Sequence, residues 1–121
     1  MQRGHFARGA LVLVATIMLA STACSPISAE SVAPTETISV SMPRSYRFEP
    51  DVIQVPVGAT VTWTNDDNFT HSVEMLDGSG RNPVVAPGQS TSLTFDTEGE
   101  FAYTCTFHRQ QMNGKVIVGG R

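Results

Sequence analysis

Cysteine and histidine are scarce in this chain, at two and three of 121 residues. His5 and Cys24 lie in the N-terminal quarter, so the remainder holds only His71, His108 and Cys105. So little cysteine leaves no disulfide framework, and so little histidine leaves none to spare for a second metal centre. Helical spacing is missing over any useful length. There is no Ser/His/Asp set, no phosphate-cradling glycine loop, no pair of catalytic carboxylates and no internal repeat. Positive charge is also short, with eight Lys and Arg against eleven Asp and Glu, which argues against nucleic acid as a partner. The length leaves room for one domain and not for two.

What is present begins with an address. Arg3 and Arg8 precede the apolar run Ala10 to Ala20, and small residues Ser21, Thr22 and Ala23 follow it. This is the layout of a secretory signal, too short for a comfortable permanent span. Residues 1–23 are therefore expected to direct export, to the periplasm or the outer face of the cell membrane. Leu19 to Cys24 resembles a lipobox, with Cys24 where lipoproteins are acylated, so the chain is expected to be membrane-tethered. Plain cleavage after Ala23 is the alternative. Residues 24–35 carry Pro26 and Pro34 without a helix or strand period and read as a flexible linker, with a reach on the order of 20 Å. Loss of Arg3 and Arg8 leaves six basic against eleven acidic residues, a formal charge of −5. That surface suits solubility and would steer a positively charged partner.

From Glu36 onward the dominant period is two, in short runs broken by turn residues, so 36–121 is expected to be an all-β domain of about eight strands in a two-sheet Greek-key sandwich. Thr37–Met42 places Ile38, Val40 and Met42 on one face. Tyr46–Phe48 and Val52–Val55 follow, separated by Pro50, which cannot donate to a ladder. Thr60–Asn65 buries Val61 and Trp63, and His71–Leu76 is a further strand. Asp66 and Asp67 between them read as a solvated turn. Ala86-Pro87-Gly88-Gln89 has the residues of a tight turn with Pro second and Gly third. Ser90–Phe95, Phe101–Thr104 and Lys115–Val118 complete the set.

An unpaired cysteine in an exported domain needs an explanation. Phe101, Tyr103 and Cys105 share one parity, so the thiol points inward where the strand meets its loop. Cys105-Thr-Phe-His108 returns an imidazole within a short turn, and His108-Arg-Gln-Gln-Met112 adds a thioether. A thiolate, two imidazoles (His71, His108) and a weak axial thioether suit one copper ion in both its oxidation states. Zinc is the competing ion, but a closed site needs a fourth strong ligand, which only a carboxylate such as Asp66 or Asp67 could add. Taken singly, each residue has a plainer reading as surface histidine, inert buried thiol or core methionine. Spacing and the exhausted inventory favour the set together.

The stretch from Phe48-Glu-Pro50 to Val118 resembles a small cupredoxin, a blue copper protein of the plastocyanin, pseudoazurin and amicyanin kind. The matching parts are Phe48-x-Pro50, Ile53-x-Val55-x-x-Gly58, Val61-x-Trp63-x-Asn65, His71-Ser-Val73, Tyr103-x-Cys105-x-x-His108 and Met112-x-Gly114-x-Val116. The resemblance implies an eight-stranded Greek-key sandwich with copper ligands at His71, Cys105, His108 and Met112. It implies that the Ser72 N–H donates to the thiolate and that Asn65 braces the ligand loops. It further implies electron entry at the His108 edge, with Phe107 and Arg109 beside it on the surface.

The expected function is a monomeric shuttle of single electrons between transient redox partners, and not an enzyme. A copper carrier or buffer outside the cytoplasm is the alternative with the same ligands. A structural adhesive sandwich would explain the strands but not the placement of His and Cys.

Overall fold

Residues 33–120 are described by a computed structural model. The expected export signal, Cys24 and all of the linker before Ala33 lie outside the described residues. Ten short strands follow in chain order: β1 Thr35–Glu36, β2 Ser39–Met42, β3 Val52–Val55, β4 Ala59–Asn65, β5 His71–Ser72, β6 Glu74–Met75, β7 Val84–Val85, β8 Ser90–Phe95, β9 Gly99–Thr104 and β10 Asn113–Val118. No helix occurs among the described residues. One sheet has the order β1-β3-β10-β9-β6, a second the order β2-β4-β8, and β5 and β7 form a separate pair.

Alternation along the strands decides what is inside, because successive side chains leave opposite faces of the pleat. In β4, Val61, Trp63 and Asn65 are buried. Thr60, Thr62 and Thr64 face outward and meet Thr94, Ser92 and Ser90 of β8 in three hydroxyl–hydroxyl bonds of 2.8–2.9 Å. In β9, Tyr103 is buried and leads to buried Cys105, as parity predicts. The core is aromatic at its centre. Tyr103 meets Trp63 edge-on at 5.3 Å between centroids and Phe48 at 4.8 Å, the geometry that ring quadrupoles prefer. Burial pushes the Tyr103 phenol up to about 12. Gly114 lets β10 cross that ring, since a Cβ there would sit 2.4 Å from Tyr103 Cζ.

The Pro87-Gly88 turn forms as expected, with Gly88 at φ 75° and Gln89 N–H donating to Ala86 O at 3.0 Å. Three local expectations change. Ile38 is 55 % exposed despite its parity with Val40 and Met42. The chain crosses there from one sheet to the other, and Thr37 Oγ1 accepts the Ser39 N–H at 3.1 Å, which bends the strand. No strand forms over Tyr46–Phe48, because the chain turns at residues 44–46, where Ser45 and Tyr46 have φ of 93° and 52°. The expected strand at 71–76 breaks at Val73, so β5 pairs with β7 while β6 pairs with β9. The extra break, the two-residue β1 and the two-residue β7, less the lost strand at 46–48, account for ten strands against about eight expected.

Candidate metal centre

Two loops at one end of the sandwich bring the donor atoms together. The first begins at Asn65, the fully buried last residue of β4. Its Nδ2 donates to Phe69 O at 2.8 Å and Val85 O at 2.9 Å, and its Oδ1 accepts the Asp67 N–H at 2.9 Å. The Pro87-Gly88 turn docks on the same residue, Gly88 N–H donating to Asn65 O at 2.8 Å. These bonds turn the chain back and draw Asp67 inside, where it is 5 % exposed.

Asp67 is thus not the solvated turn residue that its neighbourhood in the sequence predicts. Its Oδ1 accepts the Asn68 N–H at 2.7 Å, and its Oδ2 lies 2.9 Å from His71 Nε2. The hydrogen bond from His71 holds the carboxyl below the usual carboxylate range against the opposing effect of burial. An ionised carboxylate can only accept, so Nε2 is the nitrogen that donates to it and Nδ1 is the one turned toward the site. Nδ1 faces Cys105 Sγ at 3.8 Å. Asp66, by contrast, is exposed.

The second loop runs from Cys105 to Met112 and is closed by its own backbone. Cys105 N–H donates to Met112 O at 3.0 Å, His108 N–H to Cys105 O at 3.1 Å, and Met112 N–H to His108 O at 3.0 Å. Thr104 Oγ1 adds a bond of 3.0 Å to Met112 O. The winding returns His108 Nδ1 to within 3.7 Å of Cys105 Sγ and leaves the Met112 side chain fully buried. The two loops are tied by Thr106 N–H, which donates to Ser72 Oγ at 2.9 Å.

His71 and Cys105 are buried, His108 is half-buried, and their three donor atoms lie within 4.8 Å of one another. The two S···N separations are too long for strong hydrogen bonds. They fit a shared ion: bonds of about 2.3 Å to sulfur and about 2.0 Å to nitrogen, opening at about 120°, put the two donors about 3.7 Å apart. No carboxylate joins the three donors among the described residues. Asp67, the acid nearest to hand, is engaged with the opposite nitrogen of the His71 ring. A soft thiolate with two imidazoles and a buried thioether one loop away is a set suited to copper, and the fourth strong ligand of a closed zinc site is lacking.

The surface beside His108 is mixed, with Phe107 among Thr106, Arg109, Gln110 and Gln111. Phe69 and Phe107 are 57 % and 54 % exposed. Arg109 is on the surface, but its charge is met by Glu74, with Nη2 at 2.7 Å from Oε2. Asn65 contacts the loop of the first histidine directly, and Ser72 engages the second loop through its hydroxyl. Sequence reasoning missed three residues here: Asp67, Glu74 and Tyr46, whose ring lies 4.3 Å from that of His108. The Asn65-x-Asp67 spacing, in which an Asn side chain caps the amide two residues on, was the available signal for the first. Nothing local marked the other two.

Comparison with known proteins agrees with this geometry. The family described as "Cupredoxin-like domain" matches residues 9–118. Amicyanin-alpha of Methylorubrum extorquens is 30 % identical over 114 residues, covering 90 % of this chain and 94 % of that protein. Chloroplastic plastocyanin of Tetradesmus obliquus is 39 % identical over 83 residues, covering 59 % and 57 %. Among solved structures, a purple cupredoxin from Nitrosopumilus maritimus superposes with a TM-score of 0.59 at 30 % identity, covering 67 % of this chain and 98 % of that one. The Cu(I) structure of an amicyanin mutant gives 0.61 at 34 % identity, covering 67 % and 80 %.

Proposed function

Because the chain belongs to the cupredoxin-like family, we propose that it holds one copper ion through His71, Cys105, His108 and Met112 and carries single electrons between redox proteins outside the cytoplasm. The observation that carries this reading is the buried triangle of Cys105 Sγ with His71 Nδ1 and His108 Nδ1 at 3.8 and 3.7 Å. Copper bound by such donors cycles between Cu(I) and Cu(II) at little cost in rearrangement. The chain's own part is to hold those donors still. Asn65 and Asp67 fix the His71 ring, the backbone bonds of the 105–112 loop fix Cys105 and His108, and the Ser72 N–H, one residue from His71, is the proposed donor to the thiolate.

Electrons pass at the His108 edge in this reading, since it is the half-buried donor and the exposed Phe107 ring is its neighbour in the chain. Docking there relies on apolar contact more than on Arg109, whose charge Glu74 neutralises. Export through residues 1–23 and a lipid anchor on Cys24 are part of the same proposal, and mass spectrometry of the membrane-extracted protein distinguishes an acylated Cys24 from plain cleavage after Ala23.

The copper-loaded domain is expected to show an intense visible thiolate-to-copper band and a reversible one-electron titration, and Cys105→Ser to abolish the band. A wild-type domain that takes up one Cu(II) without that band would sink the electron-transfer reading. Rapid surrender of copper to an apo-acceptor, together with slow electron exchange, would favour a carrier.

A further inference from the structure

The His71 ring is oriented by a carboxylate, whereas the second ring nitrogen of His108 has no hydrogen-bond partner among the described residues. What His108 has is an aromatic face. The Tyr46 ring lies 4.3 Å from it between centroids, the planes tilted 34° apart, a close ring-on-ring contact. The same phenol ring stands edge-on to His71 at 6.2 Å and tilted to Phe69 at 6.1 Å. Tyr46 is half-buried and touches both imidazoles of the site from one side.

The backbone holds that ring in place against its own preference. Ser45 and Tyr46 are consecutive non-glycine residues at φ 93° and 52°, a conformation that persists only where the surroundings over-determine it. Here the excursion is pinched shut at its base. Ser41 N–H donates to Glu49 O at 2.8 Å and Glu49 N–H to Ser41 O at 2.9 Å. Met42 and Phe48 are anchored in the core on either side. Arg47 closes the turn from above, Nη1 donating to Arg44 O at 3.1 Å and Nη2 pairing with Glu49 at 2.9 Å. A left-handed pair at a site of this kind is a feature to be explained by what it positions.

We propose that Tyr46 is a positioning residue for His108, a clamp that sets the plane of the half-buried imidazole by close ring contact, as Asp67 sets the plane of the buried one by a hydrogen bond. The clamp rests on the reading of His108 as a copper ligand. It makes the 43–47 turn part of the site, although that turn supplies no donor atom. Loss of the ring frees the imidazole to rotate about its side-chain bonds and uncovers it on that side.

The test compares Tyr46→Phe, which keeps the ring, with Tyr46→Leu, which keeps apolar bulk without it. In metal-free protein, proton NMR of the His108 ring is expected to show an upfield ring-current shift in wild type and Tyr46→Phe and its loss in Tyr46→Leu. In copper-loaded protein, Tyr46→Leu is expected to lower copper affinity roughly 10–100-fold, the range seen when a ligating imidazole loses its outer support. It is also expected to move the visible band and the EPR parameters, with Tyr46→Phe restoring both. Wild-type ring shifts and affinity in Tyr46→Leu would overturn the clamp, as would a Tyr46→Phe variant that behaves like Tyr46→Leu. Should the wild type bind copper without a thiolate band, the electron-transfer reading fails while the metal-free ring shifts still decide the clamp. Circular dichroism of both variants identifies misfolding, and a Tyr46→Leu variant that fails to fold leaves the decision to the wild-type and Tyr46→Phe ring shifts, whose absence overturns the clamp.

Discussion

His71 and His108 face one sulfur from two loops, at 3.8 and 3.7 Å, yet the loops are built differently. The loop carrying His71 is buried and bound by side chains: Asn65 makes three hydrogen bonds, Asp67 two, and the Pro87-Gly88 turn closes over them. The loop carrying His108 is bound chiefly by its own backbone and reaches the rest of the protein through Thr104 to Met112, Thr106 to Ser72 and Asn82, and Arg109 to Glu74. A metal site that exchanges electrons needs both kinds of support. One ligand must be fixed deep in the fold, and another must come near the surface without losing its geometry. The difference teaches that the half-buried donor is held mainly by the backbone winding of its own loop, and the buried one by the side chains of Asn65 and Asp67.

If this contrast is right, substitutions on the two sides should differ in cost. Asn65→Ala leaves the Phe69 and Val85 carbonyls and the Asp67 amide without their partner, and is expected to cost roughly 2–4 kcal/mol in urea unfolding of the metal-free protein. Asp67→Ala follows, with a smaller loss of stability. Its more telling effect is on the His71 ring, whose protonated nitrogen loses its acceptor, visible as a changed tautomer pattern in nitrogen NMR. Arg109→Ala removes an exposed ion pair and should change stability by no more than about 1 kcal/mol. Equal costs for Asn65→Ala and Arg109→Ala would break the comparison.

The smallest expected effect sharpens it by pH. Asp77 sits in the loop between β6 and β7 that leads to Asn82 and so to Thr106. Its carboxyl is lowered from 3.8 to about 2, chiefly by the Ser79 hydroxyl and amide, with Arg81 at 2.8 Å. A group depressed in the folded state contributes stability above its unfolded value, and that contribution is lost as pH falls through the folded one. Asp77→Asn should therefore lower stability modestly at neutral pH and flatten the fall between about pH 4 and pH 2, so that variant and wild type converge in acid. A wild-type slope in that window would mean that Ser79 and Arg81 do not hold the Asp77 carboxylate as described.

Much of this could be read along the chain. Val61, Trp63, Tyr103 and Cys105 are buried because the pleat sends alternate side chains to one face, and that rule needs only local sequence. The Pro87-Gly88 turn was legible for the same reason, since a fixed proline φ and a glycine at positive φ define it. The break at Val73, the exposure of Ile38 and the turn at Ser45-Tyr46 were not. Each depends on which sheet the chain must enter next, and strand parity carries no information about that. Asp67 beside Asp66 looks like one of two solvated acids, and only the carbonyls of Phe69 and Val85, four and twenty residues from Asn65, pull one of them inside.

The sequence alone determined the inventory: one cysteine and two histidines in the domain, a methionine close behind the second histidine, and a period of two that makes a sandwich to hold them. Those follow from composition and spacing, which no folding step can alter. The tertiary structure decided how the ligands are held, with Asp67 behind His71, Glu74 on Arg109 and Tyr46 against His108. These partners lie 4, 35 and 62 residues apart, and contacts beyond a strand's own pairing are set by where loops converge, a property of the packed sheets and not of any stretch of chain.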